Sequence, residues 1–240
     1  MRQTFTYGQE QFSYEVAFTK KKIGKIAIHV FPDASVRVDA PEGETASKVH
    51  AAVLKRARWI KRHVNDARAL REDILPRDYV SGETFFYLGR RYQLKVRSAN
   101  GVASGVKFYR GAFHVTANKD KFAVSKQLRK WYRERAEEMF SRRFDELTSQ
   151  LRWLKEVPSW RMVAMKKQWG SCSPAGAILL NPHLIKAPRK CIDYVILHEL
   201  CHLKEHNHSS RFYRMLSQAM PDWKRVKSQL DNMAELYLNE

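Results

Sequence analysis

Long hydrophobic runs are absent from this 240-residue chain. No uninterrupted apolar run exceeds four residues, whereas a helix that spans a membrane needs about 20. The opening sequence MRQTFTYGQE also lacks the apolar segment of a secretory signal. We therefore expect a protein with neither a membrane-spanning helix nor a secretory signal.

Cysteine is also scarce. Cys172, Cys191 and Cys201 form an odd and sparse set, which cannot build a disulfide framework. This usage is typical of a reducing compartment, so we expect a cytoplasmic protein.

Acidic residues are few relative to basic ones. The chain has 25 Asp and Glu against 44 Lys and Arg, which gives a formal net charge of +19. Residues 191–240 are nearly neutral, so the basic excess lies entirely in residues 1–190. Nucleic acid or a nucleotide would be an anionic partner for this basic region, and solubility is the alternative explanation. No sequence motif for reading nucleic acid accompanies the charge.

The hydrophobic pattern changes near residue 120, and no internal repeat is evident. Before that point, alternating apolar positions predict short strands separated by turns such as Gly89-Arg90. One long helix is predicted from an N-cap at Thr45 to a stop at Pro76. After that point the period is mostly helical. We predict an α+β protein with a mainly β module over residues 1–120 and a second domain over residues 121–240.

The long helix of the β module carries a dense group of cations. They are Lys55, Arg56, Arg58, Lys61 and Arg62. In the second domain we predict strands at 161–165 and 177–181 on either side of a loop-like stretch. Helices are then predicted at about 189–206, from Ser209 or Ser210 to Met220, and at about 222–238.

Histidines are concentrated in one short window of the last predicted domain. Four of the nine lie within eleven residues: His198, His202, His206 and His208. The segment from His198 to His202 reads H-E-x-x-H within an apolar helix. Histidines at i and i+4 share one face of a helix, so their imidazoles can bind one metal ion. Glu199 follows the first histidine, and we predict that it is the general base toward water.

A tetrahedral site needs a third protein ligand, and spacing favours His208. His206 lies about 12 Å along the helix from His198, which is too far for one ion to bind both with His202. A left-handed Asn207 would end the helix and turn His208 back toward the ion. The resulting pattern is H-E-x-x-H-x5-H, with the fourth position left to water. A bare H-E-x-x-H also occurs by accident, but the apolar helix and the third histidine favour a metal site.

The segment from Gln168 to Tyr213 closely resembles the YgjP-like family of zinc metallopeptidases, which is related to the SprT-like and WLM proteases. The blocks that carry the resemblance are WGSCS at 169–173, G-x-I-x-LN at 176–181, IDYV-x-x-HEL-x-HL at 192–203 and NHS-x-x-F at 207–212. Trp131-Tyr132 and a GE-x-x-x-YLG block at 82–89 extend it upstream. Tyr213 is a departure, because the family usually has Trp there.

The resemblance implies a compact zincin-like catalytic domain in which the metal helix packs under a small sheet. It implies a Zn²⁺ ion held by His198, His202 and His208, with Glu199 as the base.

The resemblance also implies that the WGSCS block lies near the cleft as an edge strand or a loop. Trp169, Gly170 and Ser171 would then line the cleft, and an edge strand could pair with an extended peptide. For Trp169, packing alone is an equally good interpretation.

Our leading hypothesis is therefore a zinc-dependent hydrolase, most simply a metallopeptidase that acts on polypeptide. One alternative is a metal-dependent nucleotide phosphohydrolase, which the basic region motivates. Magnesium or manganese would suit phosphate better than a three-histidine site does. The other alternative is a basic nucleic-acid-associated adaptor with a structural zinc, although such a site normally has four protein ligands and uses cysteine.

Overall fold

The computed structural model describes residues 2–19, 26–31, 33–72, 76–118, 120–165 and 168–238. The chain divides into two compact units, Met1–Leu75 and Pro76–Glu240. Each unit combines helices with sheet, so the predicted α+β class is confirmed. Within the described ranges, no helix has both the length and the apolar character that a membrane crossing requires.

The first unit is a four-stranded sheet followed by two helices. Its strands are β1 (Arg2–Tyr7), β2 (Glu10–Thr19), β3 (Ala27–Val30) and β4 (Val36–Pro41), in the order β1-β2-β4-β3. The central pair β2 and β4 is parallel, and the two outer pairs are antiparallel. Phe12, Tyr14 and Val16 alternate along β2 and are buried, because successive side chains of a strand point to opposite faces.

The single helix predicted after Thr45 is two helices, α1 (Ala46–Lys55) and α2 (Ala57–Glu72). Thr45 is the N-cap as predicted, since its hydroxyl accepts a hydrogen bond from the Lys48 amide. At Arg56 the amide donates to the carbonyl of Val53, three residues back. This tightened turn interrupts the α-helical pattern without a proline or a glycine.

The second unit begins with a sheet of the same connectivity. Its strands are β5 (Thr84–Tyr87), β6 (Arg90–Ser98), β7 (Gly105–Tyr109) and β8 (Ala112–Ala117), in the order β5-β6-β8-β7. Again the central pair is parallel and the outer pairs are antiparallel. The fold therefore repeats a four-stranded arrangement that the sequence does not show as a repeat.

Two-residue turns close the hairpins β5–β6 and β7–β8. Leu88 and Gly89 form the first turn with φ of 48° and 82°, and Arg110 and Gly111 form the second with 48° and 68°. Positive φ at both central residues is the signature of a type I′ turn. The turn predicted at Gly89-Arg90 therefore lies one residue too late along the chain.

The long helix α3 (Lys121–Gln150) shares a core with this sheet. Asp120 caps it by accepting a hydrogen bond from the Ala123 amide at 2.8 Å. The Trp131 ring of α3 lies 5.1 Å from the Phe113 ring of β8. The boundary predicted at residue 120 thus falls inside the second compact unit. That residues 1–120 and 121–240 are separate functional domains stays a prediction.

The rest of the second unit is a small sheet and four helices. The sheet contains β9 (Trp160–Met162), β10 (Gly170–Cys172) and β11 (Ile178–Leu180), in the order β10-β11-β9. After a short 3₁₀ helix (Pro182–Lys186) come α4 (Arg189–His202), α5 (Ser210–Ala219), α6 (Trp223–Asn232) and α7 (Ala234–Leu238).

Three predictions for this region need correction. The stretch expected to be a loop contains the strand β10, because it pairs antiparallel with β11. The helix predicted to reach His206 ends at His202, and the helix predicted behind Pro221 is divided into α6 and α7 at Met233. The helix predicted from Ser209 or Ser210 begins at Ser210, and Ser209 caps it by accepting a hydrogen bond from the Phe212 amide.

The β5–β6 turn holds the segment that leads into α4. The amides of Leu88 and Gly89 donate to the carbonyls of Ile185 and Lys186 at 3.0 and 2.9 Å. A Cβ atom on Gly89 would lie 2.7 Å from Cγ of Pro188, the residue immediately before α4. The sheet β5–β8 therefore fixes where α4 begins.

Replacing Gly89 with alanine should destabilise the second unit more than the same change at Gly111. Both glycines have positive φ, which costs alanine about 1–2 kcal/mol. Only at Gly89 would the new methyl meet Pro188, while nothing lies within 4 Å at Gly111. We expect Gly89→Ala to cost about 1–3 kcal/mol beyond Gly111→Ala, as an overpacked site does. Denaturant unfolding of both variants measures this, and equal losses would contradict the anchoring role.

Candidate metal centre

Three imidazoles of the second unit converge on one point. His198 and His202 lie one turn apart on α4, and His208 belongs to the segment between α4 and α5. One ring nitrogen of each lies within 4.8 Å of the other two, and Nε2 of His198 is 3.0 Å from Nε2 of His208. A tetrahedral ion with bonds of about 2.0–2.1 Å needs nitrogens about 3.3 Å apart. The His198 and His208 nitrogens are therefore close to this separation, and the His202 nitrogen lies within 4.8 Å of both.

His208 reaches this cluster by a different path from the predicted one. The amides of Leu203 and Lys204 bond to carbonyls three residues back, which ends α4 in a tight turn. Asn207 does not have a positive φ, so the predicted left-handed residue is wrong. Because the helix ends at His202, residues 203–207 have room to reverse the chain without a left-handed residue.

His206 and Cys201 do not join the cluster. The His206 side chain is exposed and lies outside the group of converging rings. Cys201 is buried, and burial raises the pKa of its thiol to about 12. A thiol that stays protonated is a poor nucleophile, so Cys201 is a core residue rather than a nucleophile.

The surroundings of two of the imidazoles favour the form that can bind a metal through Nε2. Nδ1 of His202 lies 3.0 Å from the carbonyl oxygen of Glu205. A carbonyl only accepts, so Nδ1 carries a proton, and in the neutral ring the lone pair is then on Nε2. Burial, together with the neighbouring His208 and His202, lowers the pKa of His198 to about 3.

A phenyl ring that sequence reasoning did not single out supports all three imidazoles. Phe212 is fully buried, and its ring centre lies 4.9, 4.6 and 4.8 Å from those of His198, His202 and His208. The Ser209 cap fixes the start of α5 and hence this ring. The block NHS-x-x-F contains the signal, because it joins the third histidine, the cap and the phenylalanine.

Further aromatic rings extend from the cluster. Tyr213 lies 6.1 Å from His208 and stacks on Trp223 at 5.2 Å. Trp223 in turn lies parallel to Tyr194 at 6.5 Å. Tyr213, where the resembling family usually has Trp, therefore keeps an aromatic contact with the histidines.

Glu199 is buried beside the cluster with an oxygen that has no partner. The residue is 4 % exposed, and Oε2 accepts no hydrogen bond from any described residue. Burial raises the pKa of this carboxyl to about 8. An unpaired buried carboxylate is costly, so a cation or a polar ligand in the site would offset that cost.

The strand β10 packs directly on Glu199. A Cβ atom on Gly170 would lie 2.7 Å from Oε1 and 2.9 Å from Cγ of Glu199, so only glycine fits without displacement. Ser171 is half-buried next to it. Trp169 is half-buried too, and its ring lies 6.4 Å from that of Tyr237. The structure thus brings Gly170 to Glu199, while cleft lining by Trp169 and Ser171 stays a prediction.

The donor set fits a transition-metal ion. Imidazole nitrogens suit zinc and its neighbours, whereas magnesium and calcium prefer oxygen ligands. Three protein ligands also leave a coordination position open, as catalytic zinc sites do. The residues present therefore match a catalytic rather than a structural metal site.

Gly170→Ala tests the contact with Glu199 through a double-mutant cycle. We expect the added methyl to destabilise the protein by about 1–3 kcal/mol, as overpacking does. In a Glu199→Ala background the penalty should largely disappear, because the atoms that the methyl would meet are gone. Gly105→Ala is the control, since nothing lies within 4 Å there. Denaturant unfolding measures the loss of stability. If Gly170→Ala lowers the free energy of unfolding equally in the wild-type and the Glu199→Ala backgrounds, the proposed contact between the two residues is wrong.

Comparison with known proteins places the chain in a family. The family model described as "YgjP-like, metallopeptidase domain" matches residues 24–233. Among curated protein sequences, none matches the chain.

Two crystal structures of metallopeptidase zymogens are similar to part of it. Abylysin of Pyrococcus abyssi is 24% identical over 42% of this chain and 94% of its own, with a TM-score of 0.34. Jannalysin of Methanocaldococcus jannaschii is 22% identical over 38% of this chain and 92% of its own, with a TM-score of 0.34. Because the family model spans most of the sequence, the chain belongs to the YgjP-like metallopeptidase domain family.

Proposed function

We propose that the protein is a zinc metallopeptidase in which His198, His202 and His208 hold the ion and Glu199 is the general base. Family membership makes the protein a metal-dependent hydrolase. One observation carries the assignment of residues: three imidazole nitrogens lie within 4.8 Å of one another, next to a buried carboxylate with an unpartnered oxygen.

The chain's own residues supply the proton chemistry of this proposal. Bound zinc would polarise the scissile carbonyl and make water more acidic. Glu199 is the proton carrier: its carboxylate takes a proton from the attacking water and returns it to the amine nitrogen of the departing peptide. Oε2 is the atom available for this task, because no described residue occupies it. Gly170 leaves room for the Glu199 side chain, since a Cβ atom there would lie 2.7 Å from Oε1.

The strand β10 supports an extended polypeptide as the substrate. It lies at the edge of its sheet and, within the described part of the chain, pairs with β11 alone. A peptide added to such an edge is held by main-chain hydrogen bonds, which require an unfolded segment but little particular sequence. Gly170 would bring that peptide beside Glu199, and Trp169 and Ser171 would flank it.

The two alternatives receive less support from the site. A nucleotide phosphohydrolase would be expected to bind magnesium through oxygen ligands, and the converging group is made of nitrogens. An adaptor with a structural zinc would be expected to present four protein ligands. Hydrolysis of a nucleoside triphosphate therefore belongs in the assay as a competing outcome.

Glu199→Gln tests the proposed base. The amide is nearly isosteric but cannot take up the proton, so we expect hydrolysis of a denatured, labelled polypeptide to fall about a hundredfold or more. Metal content should stay that of the wild type, because Glu199 is not a proposed ligand. Chelation should abolish the wild-type activity, and added zinc should restore it.

Glu205→Gln is the matched control for this experiment. It makes the same chemical change close to the site, while only the backbone carbonyl of Glu205 contacts His202. Its activity should equal that of the wild type. Full activity in Glu199→Gln would exclude the base, and metal-dependent cleavage of a nucleoside triphosphate but not of polypeptide would favour the phosphohydrolase.

A further inference from the structure

A pocket of about 470 Å³ lies in the first unit where α1 meets α2. We call it the basic pocket. Its lining consists of four cations and one indole: Lys55, Arg56, Arg58, Trp59 and Arg62. None of these residues belongs to the candidate metal centre.

Among the described residues, the cations of the basic pocket lack acidic partners, unlike two other cations of α2. Lys61 and Arg68 of α2 both pair with Glu10, at 2.5 and 3.9 Å. By contrast, none of the four lining cations forms an ion pair with a described side chain. All four are exposed, so their charge is available to a ligand.

The arrangement works against local helix stability. The first turn of α2 contains no acidic residue, although negative charge is the favourable sign at a helix N-terminus. Arg58 and Arg62 are four residues apart on one helix face, where like charges repel. A local electrostatic conflict of this kind is expected where a site binds an anion.

Trp59 adds an aromatic surface to a pocket whose cations favour an anionic ligand. Its indole packs on the core of the first unit and lies 4.5 Å from the His63 ring, so it is held from one side while it lines the pocket. Guanidinium groups bind phosphate oxygens in pairs, and an indole face stacks on an unpaired base. A free phosphate would make no stacking contact with the indole, and the bases of a duplex are already stacked on one another. An unpaired base with flanking phosphates would use both features of the pocket.

We propose that the basic pocket is a binding site for single-stranded nucleic acid, with a base stacked on Trp59 and flanking phosphates on the surrounding cations. Residues 1–75 contain 14 Lys and Arg against 9 Asp and Glu, and this local excess would attract such a strand. RNA and DNA share this chemistry. The site is independent of the zinc centre and of the proposed peptidase reaction.

Fluorescence anisotropy with the full chain tests the proposal. The probes are labelled single strands of about 20 nucleotides, oligo(dT) and oligo(rU), together with an abasic strand and a duplex of equal length. Arg58→Gln/Arg62→Gln should weaken binding and reduce the slope of log affinity against log salt by about 1.4, since each phosphate contact contributes about 0.7. Lys126→Gln/Arg133→Gln, which removes two exposed cations from α3, should leave the slope nearly unchanged.

The indole is tested separately. Trp59→Leu should weaken oligo(dT) and oligo(rU) about five- to a hundredfold, the usual range for loss of one stacked base. It should leave the weaker binding of the abasic strand unaltered. Circular dichroism checks that the variants are folded. If Trp59→Leu is not folded, the Arg58→Gln/Arg62→Gln variant tests the site instead.

Several results would overturn the site. Absence of binding at about 50 mM salt would do so, because phosphate contacts are strong there. Equal losses in the α3 control would show that only total charge matters. Base stacking on Trp59 would be excluded if the abasic strand or the duplex bound as tightly as oligo(dT). The same conclusion would follow if polyglutamate, an anionic polymer without bases, bound as tightly.

Discussion

The candidate metal centre depends on bringing one ring nitrogen from each of three histidines to a common point. Two of these rings come from one helix face, where a spacing of four residues suffices. The third must return from beyond the end of that helix. The tight turn after His202, the short reversal and the Ser209 cap accomplish this, and Phe212 fills the space against all three rings.

The surrounding structure fixes α4 from several sides. The Leu88–Gly89 turn bonds to the segment before it, and Arg143 of α3 pairs with Asp193 of α4 at 2.6 Å. The buried Lys186 donates to the carbonyl of Tyr237 in α7 at 2.9 Å, which ties the end of the chain to the same region. Gly89, the last residue of the GE-x-x-x-YLG segment, packs against Pro188 immediately before α4, which links that segment to the helix of the histidines.

The parts of the fold that follow local rules could be predicted from the sequence. Thr45 and Ser209 are caps because a hydroxyl before a helix can accept from its free amides. The H-E-x-x-H spacing places two imidazoles on one face, and the distance along a helix axis disfavours His206. Each of these inferences uses only residues within about ten positions of one another.

The remaining features depend on contacts that are distant in the sequence. Nothing near Arg56 or His202 marks a helix end, and the apolar pattern continues through the first break. The parallel pairs at the centre of both sheets join strands that are not neighbours in sequence. The roles of Gly89 and Gly170 follow only from what a Cβ atom would meet, and the basic pocket depends on which cations find acidic partners.

The central claim is that His208, and not His206, completes a metal site with His198 and His202. Elemental analysis of purified wild type, His208→Ala and His206→Ala tests it most directly, because both variants lose one imidazole from the same short segment. The account predicts about one zinc per chain in the wild type and in His206→Ala, with most of the metal lost from His208→Ala. Full zinc content in His208→Ala, or loss confined to His206→Ala, would contradict it.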